Sequence, residues 1–197
     1  MVNDFMQKTL YYGSGTVDGY HSRENFCLAV DPSCAWNSQD ENECRPLCVE
    51  QISSVMVVDQ EGLSGLAADG IIGLGPVVGE DEGWANPELF IDVAFEQNKI
   101  DEKIFSLLIG AGQKEQVLTI GGYDLERYAK SDLVWHDSYS SEYWSVKLNG
   151  FKFGESDIEV SHEEVIVDSG TSYLIMPPTN FMEVYNLLRQ THVCFLS

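Results

Sequence analysis

The chain has 197 residues, of which 11 are Lys or Arg and 32 are Asp or Glu, a formal net charge of −21 with His neutral. That shortage of cations excludes phosphate backbones and anionic membrane surfaces as partners, because both are held through Lys and Arg. Apolar residues at 44% and aromatics at 11% exclude a disordered chain, which lacks the surface to offset its chain entropy by burial.

A chain of this length can bury about 70% of its unfolded surface, in one or two domains. It has no run of about 18 apolar residues, so no membrane span is expected. Met1 to Lys8 contain no apolar core of the kind a signal peptide needs, and none is expected there.

In chain order, Leu10 and Tyr11 lead into Gly13-Ser14-Gly15, and Thr16 to Tyr20 lead away. This pattern predicts a hairpin whose turn glycines supply positive φ angles. The glycine spacing does not fit G-x-G-x-x-G and no strand-to-helix switch follows, which argues against a dinucleotide site. Residues 22–50 read as a polar insert containing Cys27, Cys34, Cys44, Cys48 and the acidic run Asp40-Glu41-Asn42-Glu43, a solvated face. Four clustered cysteines in such a segment predict disulfides and an oxidising compartment. Three connectivities are open, and the spacings do not match the paired C-x₂-C pattern of a zinc site, which is the weaker alternative. Cys194 is left over. Asn-x-Ser/Thr acceptors are absent, so glycosylation adds no support for secretion.

Ile52 to Asp59 predict a strand, and Asp69-Gly70-Ile71-Ile72-Gly73-Leu74-Gly75 a buried one fenced by glycines. Pro87 to Lys99 predict a helix with Leu89, Phe90, Val93 and Ala94 on one face. Strands are predicted again at 104–109, 117–120, 133–136, 143–148 and 164–167. Pro178 opens a second helix with Phe181, Val184, Tyr185 and Leu188 on one face. Many short strands and two short helices make the fold mainly β. His21, His136, His162 and His192 are scattered without metal-ligand spacing, so no metal and no cofactor is expected.

The segment with the clearest chemistry is Val165-Ile166-Val167-Asp168-Ser169-Gly170-Thr171-Ser172. A carboxylate at the end of a buried apolar strand is costly unless it is hydrogen-bonded or functional, and the hydroxyls and N–H groups that follow are placed to hold it. This turn resembles the second Asp-Thr/Ser-Gly catalytic turn of the pepsin-like aspartic peptidases. Other stretches resemble the family in order. Tyr11-Tyr12-Gly13-Ser14-Gly15-Thr16 is similar to its flap, and Asp69 to Gly75 to its Asp-Gly-Ile-x-Gly-Leu strand. Ile104 to Leu108 and Leu118 to Asp124 are similar to the strands joining its lobes, and Leu133-Val134-Trp135 with Tyr143 to Val146 to the start of its C-terminal lobe.

The resemblance implies a bilobal acid-protease fold present as a partial chain, with residues 1–123 from the N-terminal lobe and 124–197 from the C-terminal lobe. It implies an aspartic-type endopeptidase that activates water between two Asp carboxylates, of which Asp168 is one. Ser169 would brace the paired turns, Thr171 would hydrogen-bond Asp168, and Gly170 would admit the substrate backbone. Ser172 would touch substrate further out. Tyr12, with Gly13 and Ser14, would cover an extended peptide, and Ile71 and Ile166 would line apolar subsites or the core. Ala67 and Ala68 stand where the family often has a bulky aromatic. The family's first catalytic aspartate lies ahead of the flap. Residues 1–11 hold only Asp4, in Asn3-Asp4-Phe5, and no Asp-Thr-Gly, and the end of the C-terminal lobe is not represented, so the chain by itself is expected to be inactive. By the same resemblance the complete protein would be a monomer acting on peptides or unfolded proteins, extracellular or in a lysosome or vacuole. The alternatives are a non-catalytic peptide-binding or structural relative on the same scaffold and a homodimer of half-enzymes.

Overall fold

The computed structural model describes residues 7–28, 47–76, 88–110 and 116–191. These are mostly strands, joined by three helices, and they form two compact units divided after Asp132, with the short piece at Gly75 going with the second.

The first unit is built on an antiparallel sheet of β1 (Gln7–Tyr12), β2 (Gly15–Leu28) and β3 (Leu47–Glu61), in that order. Tyr12 pairs with Gly15, so the turn is the two residues Gly13-Ser14. Neither is in the positive-φ region. The expected role of these glycines in supplying positive φ is therefore corrected: Gly15 is required by crowding instead.

The expected insert at residues 22–50 is also corrected. Residues 22–28 and 47–50 belong to the long strands β2 and β3, and Cys27 is joined to Cys48 directly across the ladder. Polar residues occupy these strands because the sheet buries few of them; Arg23, Glu24 and Asn25 all lie at the surface. Cys34 and Cys44 lie outside the described residues, as do Pro87, His192 and Cys194.

The register of β2 and β3 shifts at two places, between Asp18 and Gly19 and, where the core forms, between Glu24 and Phe26. Glu24 pairs with Ile52 and Phe26 with Val49, so Glu50 and Gln51 together oppose Asn25. This is a bulge, in which an extra residue bends one strand and reverses its side-chain parity. Gln51 takes a left-handed φ of 54°, and its N–H donates to Asn25 Oδ1 at 2.9 Å. Side chains alternate across a strand, so Val49 and Ile52 would face opposite ways without the bulge. With it, both are buried in one cluster at 0% and 6% exposure.

That cluster is completed by α1 (Phe90–Glu96), through Phe90, Val93 and Ala94, with Phe26, Leu28, Leu47, Leu74, Ile91 and Ile100 around it. Two polar clamps hold the helix there. At its start, Glu88 accepts from Arg23 at 3.2 Å and from the Ser53 N–H at 3.2 Å and hydroxyl at 3.3 Å. At its end, the Gln97 amide accepts from the Glu50 N–H at 2.9 Å and donates to the Glu50 carbonyl at 2.6 Å. Gln97 thus serves the bulged residue as a neighbouring strand would. Past the helix, β4 (Phe105–Leu108) pairs with β5 (Val117–Ile120), and α2 (Leu125–Tyr128) is capped by Asp124, which accepts from the Arg127 N–H.

The second unit contains two short ladders. β6 (Ser145–Lys147) pairs with β9 (Glu164–Ile166), and β7 (Phe151–Phe153) with β8 (Ser156–Ile158). Helix α3 (Pro178–Thr191) packs on β8, where Val184 and Ile158 are buried. Asn180, buried in the first turn of α3, donates to the Glu159 carbonyl at 2.5 Å and accepts from the Ser161 hydroxyl at 3.1 Å. Of the expected apolar face, Val184 is buried but Phe181 is exposed.

Two predicted strands are not formed. Asp69 to Gly75 and Leu133 to His136 have no regular structure, and Ile71, Ile72, Leu133, Val134 and Trp135 are exposed. A strand buried on both faces needs a ladder partner and cover. Among the described residues no strand pairs with either segment.

Phe90→Ala should destabilise the first unit by about 3–5 kcal/mol, the range for emptying a buried aromatic site. Met56→Ala, at an exposed position of the same sheet, should change urea stability by less than about 0.5 kcal/mol. A second expectation concerns the crosslink, whose cysteines are 21 residues apart. Closing a loop of that length restricts the unfolded chain by about 3 kcal/mol. Peptide mapping without reductant should recover Cys27 linked to Cys48, and Cys27→Ser should lower stability by about that amount. Cys27 recovered in another pair, or as a free thiol, would contradict the structure.

Candidate active site

The ladder of β9 against β6 ends with Ser145 opposite Ile166. One more bond follows, from the Val167 N–H to the Trp144 carbonyl at 2.7 Å, and the chain then turns at Asp168. The last fixed backbone bond therefore lies one residue before the carboxylate. A strand end held this way gives Asp168 a defined starting direction.

The turn itself positions the side chain. The Gly170 N–H donates to Asp168 Oδ1 at 2.8 Å, and the Thr171 hydroxyl donates to Oδ2 at 2.5 Å. Each carboxylate oxygen thus has its own donor, from two and three residues downstream. Asp side chains commonly bond the backbone two residues on; the threonine adds the second anchor. A Cβ at Gly170 would lie 3.2 Å from Asp168 Oδ1, so a side chain there would press the carboxylate by a few tenths of an ångström.

These donors stabilise the charged form. The Thr171 hydroxyl, and after it the Gly170 N–H, hold the Asp168 carboxyl below its ordinary range, against a small opposing effect of burial. Asp168 is exposed, as are Ser169, Gly170 and Ser172, while Thr171 is half-buried. The expectation of a carboxylate closing a buried strand is corrected here: Ile166 is 49% and Val167 63% exposed. What offsets the charge is hydrogen bonding in the turn together with water.

The other predicted site residues lie in the first unit, apart from Ile166. Tyr12 is the last residue of β1, at the mouth of the Gly13-Ser14 turn, and partial burial raises its phenol above the ordinary value. Ile71 lies on the irregular segment after β3. The structure thus brings Asp168, Gly170 and Thr171 together in one turn, and Tyr12, Gly13 and Ser14 together at one hairpin tip. Sequence reasoning passed over Gly62, which touches that tip and whose only signal was being a glycine. Among the described residues, no three His, Cys, Asp or Glu side chains converge as metal ligands, and no helix is long and apolar enough to cross a membrane.

If Thr171 is the main cause of the Asp168 shift, Thr171→Val should raise the Asp168 titration midpoint toward the ordinary carboxylate range. The rise should be incomplete, because the Gly170 N–H remains. The sign for stability follows. A lowered folded-state value favours the folded turn above the ordinary carboxylate value, and that benefit fades as pH falls through the folded value. In the valine variant the benefit should therefore be smaller, and its loss, which begins at the same unfolded-state value, should be complete at a higher pH. Carbon-detected NMR titration of the Asp168 carboxyl checks this, and an unchanged midpoint would contradict it.

The sequence profile of the eukaryotic aspartyl proteases matches residues 4–193. Cathepsin D of Bos taurus is 26% identical over 182 residues, 89% of this chain and 44% of that protein. Cathepsin D of Mus musculus is 29% identical over 182 residues, 89% of this chain and 42% of that protein. Vacuolar protease A of Arthroderma otae is 25% identical over 177 residues, 85% of this chain and 39% of that protein. The chain thus spans about two fifths of the length of these curated relatives. With its mainly β, partial pepsin-like architecture, the chain belongs to the eukaryotic aspartyl protease family.

Proposed function

We propose that the chain is part of an aspartic endopeptidase to which it contributes one catalytic carboxylate, Asp168. The observation that carries this reading is the Asp168 turn, in which each carboxylate oxygen meets a separate donor and the charged form is favoured. A group that must take a proton from water needs a fixed position and a set protonation state before substrate arrives.

The second carboxylate would come from a part of the protein other than this turn. Two ionised carboxylates about 4 Å apart repel by ~4 kcal/mol at an effective dielectric of 20. At about 1.36 kcal/mol per unit this separates their titrations by roughly 3 pKa units. Between those values the pair holds a single proton. The ionised oxygen then takes a proton from a bound water, while the protonated one donates to the scissile carbonyl. The resulting titration belongs to the pair and to neither residue alone. Neither a metal nor a covalent intermediate enters this scheme.

In this reading residues 1–123 belong to the N-terminal lobe and residues 124–197 to the C-terminal lobe. The β1–β2 hairpin is the flap, where Tyr12 covers the peptide and Gly13 and Ser14 offer it backbone groups. Ile71 and Ile166, both exposed, line apolar subsites. Ser169 braces the two catalytic turns, and Ser172 reaches substrate further out. The Cys27–Cys48 disulfide and the name of the vacuolar relative both favour a compartment of the secretory pathway.

The test is to express the chain within its full-length protein and compare variants on one peptide substrate at acidic pH. Asp168→Asn keeps the side-chain size and shape but cannot accept the water proton, so turnover should fall by at least about 10³-fold with the fold intact. Tyr12→Ala should cost less, since it orders substrate without moving a proton. Near-normal turnover in Asp168→Asn would remove Asp168 from catalysis and favour a non-catalytic, peptide-binding role for the scaffold.

A further inference from the structure

We infer that β3 acts as a strut for the hairpin that carries Tyr12, with Gly15 and Gly62 as its seat, so that the Gly13-Ser14 turn cannot lift without peeling β2 from β3. As a statement about substrate access, this rests on reading the hairpin as the flap.

The register is the first observation. Tyr12 pairs with Gly15 across the turn, and the next residue of β2, Thr16, already pairs with Glu61 of β3. The third strand therefore runs almost to the tip. A hairpin backed only at its base could swing as a lever. One backed to the tip must break its ladder to move.

The second observation is steric. A Cβ on Gly15 would lie 2.0 Å from the Glu61 carbonyl oxygen, and one on Gly62 would lie 2.3 Å from the Ser14 carbonyl oxygen. In both cases the obstacle is backbone, so no side chain can swing aside. Gly62 also has φ +80°, a conformation that costs other residues energy. The turn is thus seated on β3 at two reciprocal points, each open only to glycine. By contrast, a Cβ on Gly13 would meet nothing within 4 Å.

The end of β3 is built to deliver Gly62 to this place. The Asp59 carboxylate accepts from the Gln60 N–H at 2.9 Å, and the Gln60 side chain accepts from the Leu63 N–H at 2.8 Å. These bonds stop the strand at Glu61 and bend the chain at Gly62. The Ser14 carbonyl faces Gly62, which makes it less accessible than the turn's N–H groups.

The experiment is residue-resolved hydrogen exchange on this chain, as wild type, Gly62→Ala and Gly13→Ala. In the wild type, amides of Thr16 to Asp18 should exchange within about 10-fold of those of Val55 to Val57, as members of one cooperative ladder. Gly62→Ala should speed exchange from Tyr12 to Thr16 by about 10-fold or more while α1 keeps its protection, and Gly13→Ala should leave it unchanged. Tip amides exchanging like an unstructured peptide beside a protected β3 in the wild type would overturn the inference, as would a Gly62→Ala variant with unaltered exchange. If Gly62→Ala also strips protection from Phe90 to Glu96, the wild-type comparison decides. None of these readouts needs peptide cleavage, so failure of the strut and failure of the protease reading are separable.

Discussion

The first unit depends on one change of parity. Strands bury alternate residues, yet β3 must bury both Val49 and Ile52 against α1. Only the extra residue opposite Asn25 permits this. Its backbone groups then need partners, and the flanking elements supply them: Asn25 from β2 and Gln97 from the end of α1. The bulge and the docking of the helix are therefore parts of one solution. Removing the bulge would turn either Val49 or Ile52 toward solvent and leave Gln97 without its strand partner.

This explains which features were legible in the sequence. The β1–β2 hairpin, α1 and its buried face, the strands β4, β5, β6 and β9 and the Asp168 turn all follow local rules of alternation, helical spacing and turn chemistry. The arms on either side of the cysteine-bearing segment did not. Arg23, Glu24, Asn25, Glu50 and Gln51 look like loop residues because the bulge interrupts alternation and because these side chains lie at the surface, where Arg23 and Asn25 act as clamps. The segments around Ile71 and Trp135 depart from expectation for the opposite reason. Their apolar runs suit burial, but burial also requires a partner strand, which local sequence does not encode. Resemblance to the family supplied the meaning of Asp168; the residues alone identified only a carboxylate held at a strand end.

The Asp168 turn is largely self-sufficient. Its two donors come from within three residues, and its anchor is one backbone bond to Trp144. Little distant packing is needed to fix the carboxylate. The hairpin at Tyr12 is different, since its geometry depends on β3, more than forty residues downstream. One part of the proposed site is thus a local motif and the other a tertiary product, so mutations distant in sequence disturb them unequally.

Cys27 and Cys48 stand in the penultimate register pair before the chain leaves the sheet, with Cα atoms 4.0 Å apart. Everything between them departs and returns through one covalent gate. The crosslink closes the ladder at the end of β2 and β3 opposite the Tyr12 hairpin. A disturbance arriving at the cysteine end therefore meets a covalent stop before it can slide the two strands past each other and displace the turn.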